Sequence, residues 1–193
     1  MKIAFLGDIS LNDEYIQLYK KGVKPFYEIG IYLKTFDYVI GNLECLAQGD
    51  KGENELKIPR LKTTIDTLHY LTDIGVNVVE LAHNHVYDNL KDGFEKTISF
   101  LDSKNIQYLG ASVIPSQANE PLILEKESIS ICLLNYVNKD TNPNLPLTAD
   151  VYLNEFEEYR IIKEIKQYKN IYDFVILLFH WGGNMEGGKF PDW

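Results

Sequence analysis

Short apolar runs alternate with longer amphipathic stretches along this chain, and the alternation predicts its secondary structure. The apolar runs favour strands because they are short, rich in β-branched residues and bounded by Gly, Asn or Asp. They lie at 2–6, 37–40, 76–81, 106–109, 121–125, 129–135 and 173–179, the fifth and sixth pairing across a turn. Apolar positions spaced by three and four predict helices at 11–21, 60–74, 93–104 and 155–168. Strands that alternate with helices predict an α/β fold with a largely parallel sheet.

Composition and charge narrow the classes to which the chain can belong. The 193 residues carry a net charge of −9, and 45% of them are hydrophobic, which suits one domain with a sizeable core. An acidic chain without a basic stripe argues against binding to nucleic acid or to anionic lipid. The longest apolar run, 174–179, is too short to span a bilayer, and the N-terminal run is too short for a signal peptide. We therefore expect one cytoplasmic domain over residues 1–193, associated with a membrane only through partners.

Polar side chains collect where four of the predicted strands end. In open α/β sheets, ligands bind beyond the carboxyl ends of the strands, so these positions form the candidate site. They are Asp8, Asn42, Glu44, Asn84, His85, Asp88, His180 and Trp181. Carboxylate, amide and imidazole groups together are a ligand set for a divalent ion such as manganese, iron or zinc.

Each of these residues also has a purely structural explanation. Asp8 can cap the helix that follows it, and Asn84 can stabilise a left-handed turn. Glu44 can be a solvated loop charge, and His180 can be a hydrogen-bonded histidine at the end of a strand. Asp88 either orients a neighbouring histidine or has no role. The repeated placement at one end of the sheet favours a shared site over these separate explanations.

Four ordered segments of the chain carry a family resemblance. They are Gly7-Asp8, Gly41-Asn42-Leu43-Glu44, Ala82-His83-Asn84-His85-Val86-Tyr87-Asp88 and His180-Trp181-Gly182. In this order, at strand ends, they resemble the motifs of CapA-like capsule biosynthesis proteins, which belong to the calcineurin-like metallophosphatase superfamily. The resemblance implies a metallophosphatase-like layered fold, with a mainly parallel central sheet flanked by helices. We expect this fold to be incomplete at the C-terminus, because the family's later Gly-His-x-His segment is not present in the sequence.

The resemblance also implies a role for each candidate residue. The expected ligands of two divalent metal ions are Asp8, Glu44, Asn84 and His180. The expected catalytic residues are His85 and Asp88, and the expected substrate contacts are Asn42 and Trp181. One departure is Ser10, which stands where calcineurin-like phosphatases place a histidine.

Three functions are open from the sequence. The first is a metal-dependent hydrolase of capsule biosynthesis, in which metal-activated water attacks a phosphoester or a γ-glutamyl amide of a poly-γ-glutamate type polymer. The second is a non-catalytic binding or assembly subunit of a capsule-synthesis complex, which the missing C-terminal ligands favour. The third, a nucleotide-binding α/β domain, is disfavoured because no Gly-rich phosphate loop follows a strand. Sheet edges and apolar surface left uncovered also predict self-association or binding to capsule-synthesis partners.

Overall fold

A computed structural model describes residues 1–141 and 144–182, so positions 142–143 and 183–193 of the predicted domain lie outside the described residues. The strands within these ranges are β1 (Ile3–Ile9), β2 (Tyr38–Leu43), β3 (Val78–Glu80), β4 (Gln107–Leu109), β5 (Ala111–Ser112), β6 (Leu122–Lys126), β7 (Ile129–Val137), β8 (Tyr152–Leu153) and β9 (Phe174–His180). The α-helices are α1 (Glu14–Lys20), α2 (Tyr27–Leu33), α3 (His69–Ile74), α4 (Leu90–Ser103), α5 (Pro115–Ala118) and α6 (Glu158–Tyr168). No helix in the described ranges is long and apolar enough to cross a lipid bilayer.

Two larger sheets and one antiparallel pair of short strands, β5 with β8, organise the described part of the chain. Strands β1 to β4 form the first sheet in that order, and all their pairings are parallel. In the second sheet β7 lies between β6, to which it is antiparallel, and β9, to which it is parallel. The predicted α/β class with a parallel sheet is confirmed. The predicted strands nevertheless divide between two sheets, because an apolar run shows that a strand is buried and not which sheet it joins.

The two sheets stack face to face between layers of helices. Ile40 and Val78 of the first sheet share one buried cluster with Leu133 of the second sheet. On the other face of the first sheet, Val39 shares a cluster with Leu71 of α3 and with residues of α2 and α4. A third cluster joins the outer face of the second sheet to α6. The order of the layers is therefore helix, sheet, sheet, helix, which agrees with the expected layered fold.

One predicted helix is much shorter in the structure. We expected a helix at 60–74, but α3 begins only at His69. The main-chain groups of Leu61 are bound elsewhere: its N–H donates to the Asp88 carboxylate at 2.7 Å, and its carbonyl accepts from the Asn89 side chain at 2.9 Å. These long-range contacts outweigh the helical spacing of the apolar residues, since helix propensity is weak compared with tertiary packing.

Helix α2 has no counterpart among the predicted elements. Its apolar residues do not form a clear buried stripe, and Ile31 and Tyr32 are 58% and 60% exposed. Gly30 allows the helix to approach α3 closely, because a Cβ atom there would lie 2.2 Å from the carbonyl oxygen of Asp73. The helix therefore packs through Gly30 and the buried Leu33, and the spacing of its apolar residues does not reveal this contact.

Candidate metal centre

The candidate residues meet at one end of the gap between the two sheets. On β2, Ile40 points into the gap, and Asn42, two positions further along the strand, points the same way. On β9, Leu178 packs into the same gap, and His180 follows on the same face. Asn42 and His180 therefore face each other, with Asn42 Nδ2 at 3.1 Å from His180 Nδ1.

A bulge in β1 brings Asp8 into this gap. Phe5 pairs with Ile40 of β2, so a regular register would place Gly7 opposite Asn42. Asp8 pairs with Asn42 instead, which leaves one extra residue on β1 between the two pairs. Asn42 Nδ2 donates a hydrogen bond to Asp8 Oδ1 at 2.7 Å. The bulge thus turns a carboxylate toward the second sheet.

Asp8, Glu44 and His180 form a cluster that can bind a metal ion. One ligand atom from each residue lies within 4.8 Å of the other two. His180 Nε2 is 3.8 Å from Glu44 Oε1 and 3.0 Å from Asn84 Oδ1. Donors that bind one ion at about 2.0–2.2 Å lie within about 4.4 Å of each other, so small side-chain shifts would complete the coordination. The structure therefore brings three predicted ligands together and places the fourth, Asn84, in contact with one of them.

The electrostatics of these residues also fit a cation. The Oδ1 atom of Asn42 is buried and has no hydrogen-bond partner among the described residues, which leaves an oxygen for a cation or a water molecule. Burial lowers the pKa of His180, which favours the neutral imidazole that a metal ion binds. Burial, together with the charge of Asp8, raises the pKa of Glu44. A divalent ion would relieve this repulsion between the two carboxylates.

His85 and Asp88 form a buried pair beside the cluster. His85 Nδ1 lies 2.6 Å from Asp88 Oδ2, and the two side chains are 10% and 1% exposed. The same carboxylate oxygen accepts the Leu61 N–H. Asn84, the residue before His85, lies 3.0 Å from His180 through its Oδ1 atom, so the turn that carries His85 adjoins the cluster. Asp88 is therefore positioned to orient His85 through the Nδ1 atom of the ring.

The two residues predicted to contact substrate have different environments. Asn42 is 6% exposed and links Asp8 to His180 through its Nδ2 atom. Trp181 is 69% exposed, and its ring stacks on Phe179 with the centroids 6.3 Å apart. Asn42 thus positions two of the predicted metal ligands, and substrate contact by either residue stays a prediction.

The structure adds Glu80 to the centre. Glu80 pairs with Asn42 in the parallel register of β2 and β3, so its side chain faces the same gap. Its Oε2 atom lies 3.5 Å from Asn135 Nδ2. Burial, with a smaller contribution from the charge of Asp8, raises the pKa of Glu80 to about 7. Glu80 is not among the residues predicted from the strand ends, because it lies within the apolar run 76–81. A carboxylate inside an apolar run is unusual and is therefore a signal for such a residue.

Glu80→Gln is expected to stabilise the metal-free protein by about 3 kcal/mol at about pH 8. Because the pKa of Glu80 is about 7 in the folded state and near its usual 4.5 in the unfolded state, the folded state holds the proton more tightly. The stability that the folded state gains from this tighter proton binding is fully present below the unfolded-state pKa of Glu80. It is lost as the pH rises through the folded-state pKa. The wild type therefore becomes less stable as the pH rises from the unfolded-state pKa to the folded-state pKa of Glu80. The Glu80→Gln variant does not, because it has no carboxyl group at this position.

Urea unfolding at about pH 5 and about pH 8 measures the effect of Glu80. Glu125→Gln is the matched control, because Glu125 is an exposed carboxylate on β6. The control should follow the wild type at both pH values. If Glu80→Gln and the wild type lost the same stability between these two pH values, the raised pKa of Glu80 would be contradicted.

Comparisons with known proteins identify the family of the chain. Residues 2–189 match the family described as Bacterial capsule synthesis protein PGA_cap. The chain belongs to the PGA_cap family. A relative of this PGA_cap chain is the PGA biosynthesis protein CapA of Bacillus subtilis, to which it is 24% identical over 94% of its own length. The alignment includes 49% of that relative, so the chain spans about half the length of the relative it matches.

Solved structures share the fold of this PGA_cap chain. A putative 5'-nucleotidase from Staphylococcus aureus, solved in complex with alpha-ketoglutarate, aligns with 98% of the chain and 40% of its own length, at a TM-score of 0.56 and 12% identity. A novel phosphatase from Mycoplasma pneumoniae aligns with 93% of the chain and 55% of its own length, at a TM-score of 0.51 and 17% identity. At these identities the likeness shows the fold alone, and it confirms the expected metallophosphatase-like architecture.

Proposed function

We propose that this chain carries the metal centre of a hydrolase that acts in capsule or surface-polymer biosynthesis. The observation that carries the proposal is the cluster of Asp8, Glu44 and His180 beside the buried His85–Asp88 pair. Cation ligands next to a histidine that can transfer a proton are a combination suited to metal-dependent hydrolysis. The name of the Bacillus subtilis relative refers to PGA biosynthesis, which supports a capsule polymer as the substrate class. The bond to be cleaved is then a phosphoester or a γ-glutamyl amide.

The residues of the centre have different roles in the proposed reaction. A bound divalent cation would supply an activated water molecule and stabilise the negative charge that develops on the reacting group. Asp8, Glu44 and His180 would hold the cation, and Asn84 would add a neutral oxygen donor. We propose two ions of manganese, iron or zinc, since Glu44 is a carboxylate that can bridge two cations.

His85 would supply the proton that the leaving group needs. Its Nδ1 atom is held by Asp88, so the ring presents Nε2 to the substrate in a fixed orientation. The Asp88 carboxylate accepts the hydrogen bond that fixes the orientation of the ring, as the buried carboxylate of a catalytic triad does. Asn42 would keep Asp8 and His180 in place through its contacts with both side chains.

A turnover assay with a histidine variant tests this function. The Mn²⁺-loaded chain is expected to hydrolyse bis(p-nitrophenyl) phosphate or poly-γ-glutamate. His85→Ala should lower the rate about 10²–10⁴-fold, which is the usual contribution of a general acid, while the Mn²⁺ content stays the same. His69→Ala is the matched control, because the ring of His69 packs between Tyr19 and Phe100 on the helical side of the fold.

The outcomes of this assay separate the two main functions. Turnover that survives in His85→Ala contradicts the role of this histidine. A wild-type chain that binds Mn²⁺ but cleaves neither substrate contradicts hydrolysis by this chain. That second result favours a binding or assembly subunit that works with capsule-synthesis partners.

A further inference from the structure

Lys57 is a buried lysine whose ammonium group reaches the metal centre. The residue is 3% exposed, and its Nζ atom donates a hydrogen bond to the main-chain carbonyl of Asn84. A buried ammonium is costly unless opposite charges and hydrogen bonds compensate for the lost water. Burial lowers the pKa of Lys57, and the nearby carboxylates of Asp88 and Glu44 oppose that effect. Residues of the centre thus offset part of the cost of burying Lys57.

The loop that carries Lys57 is fixed to the turn that carries the candidate histidine. Arg60 Nη1 donates to the main-chain carbonyls of Lys57 at 2.8 Å and Asn54 at 3.3 Å. The N–H of Asn54 donates to the carbonyl of Asp88 at 2.9 Å. Lys57 is therefore held at its main chain by Arg60 and at its ammonium group by Asn84.

The contact with Asn84 connects Lys57 to the metal ligands. The Oδ1 atom of Asn84 lies 3.0 Å from His180 Nε2, and its Nδ2 atom donates to the carbonyl of Thr141 at 3.4 Å. Lys57 binds the main-chain carbonyl of Asn84 and so fixes the backbone position from which the side chain reaches His180, while the bond to Thr141 holds the amide group itself. Hydrogen bonds of this kind, one step behind the ligands, set the orientation of metal-binding side chains.

We propose that Lys57 is a positioning residue of the metal centre, which holds Asn84 toward His180 and thereby raises the affinity of the site for a divalent cation. This inference rests on the proposed function, because it assumes that the cluster binds a cation. Two other roles for Lys57 lead to different results. A lysine that only fills space would not change cation affinity, and a lysine whose charge mainly repels the cation would lower it.

Calorimetric titration of Mn²⁺ into the purified chain tests the role of Lys57. Lys57→Met is expected to weaken Mn²⁺ binding about 10–100-fold, as is typical when a residue that orients a metal ligand is removed. Lys57→Arg keeps a cationic donor and should retain more of the affinity than Lys57→Met. Lys62→Met is the matched control, because Lys62 lies on the same loop, is 52% exposed and pairs with Glu53.

Each result of the titration supports or overturns the inference. Unchanged or tighter Mn²⁺ binding by a folded Lys57→Met chain overturns it. If circular dichroism shows that Lys57→Met does not fold, Lys57→Gln is measured against the same criterion. A wild-type chain that binds no Mn²⁺ overturns the metal centre and the role of Lys57 together. Binding by the wild type with no loss in the Lys57 variants overturns the role of Lys57 alone.

Discussion

Replacing both Asp8 and Asn84 by alanine is expected to lower the affinity for Mn²⁺ more than about 100-fold, since the loss of direct ligands exceeds the 10–100-fold cost of losing residues behind them. Asp8 supplies a charged oxygen to the cluster, and Asn84 supplies a neutral oxygen 3.0 Å from His180. The measurement is titration of Mn²⁺ by calorimetry. Without metal the variant should stay folded, because the charge of Asp8 raises the pKa of Glu44 and Glu80 and its removal relieves that repulsion.

A matched double substitution controls for the loss of one carboxylate and one amide. Asp66→Ala with Asn119→Ala removes the same two groups from exposed positions outside the strand ends. This control should bind Mn²⁺ like the wild type. If the chain with Asp8→Ala and Asn84→Ala bound Mn²⁺ as tightly as the wild type, the ion would be held elsewhere.

Asp88→Ala is expected to lower the free energy of unfolding by about 3–5 kcal/mol. The carboxylate is 1% exposed and accepts hydrogen bonds from His85 Nδ1 at 2.6 Å and from the Leu61 N–H at 2.7 Å. Its removal leaves both donors buried without an acceptor, and a buried unpaired donor costs about 1–3 kcal/mol. Urea unfolding of the metal-free protein measures the change.

Asp92→Ala is the comparison for this variant. Asp92 also accepts two hydrogen bonds, from the main-chain N–H groups of Asp50 and Lys51, but these lie in a more exposed loop. We expect a smaller loss of stability for Asp92→Ala and no change in Mn²⁺ binding. A loss below about 1 kcal/mol in Asp88→Ala would contradict the view that Asp88 ties the loop before α3 to His85, since a lost buried partner costs more.

The position of the candidate site followed from the sequence because strand geometry is regular. Asn42 and His180 stand at the ends of apolar runs, and a side-chain period of two places both on the inner faces of their strands. These two strands belong to different sheets, and the face-to-face stacking of the sheets brings their ends together. Asp8 reaches the same gap only through the bulge in β1, and the sequence shows no specific signal for that bulge.

The residues that were missed depend on contacts between distant segments. Lys57 lies in a polar loop, where a lysine is normally exposed, and its burial results from the docking of that loop on the Asn84–Asp88 turn. The segment before α3 has helical spacing, but Asp88 and Asn89 bind its main chain in another conformation. Local patterns report which residues are apolar, and they do not report which loop a polar side chain will bind.

The metal content of the purified chain tests the central claim most directly. Native mass spectrometry after dialysis against Mn²⁺ would count the ions bound to the wild type and to the chain with Asp8→Ala and Asn84→Ala. The cluster of Asp8, Glu44 and His180 predicts bound Mn²⁺ in the wild type, up to the proposed two ions, and none in the variant. A wild-type chain without bound metal would contradict the metal centre and leave the PGA_cap fold without the proposed hydrolytic site.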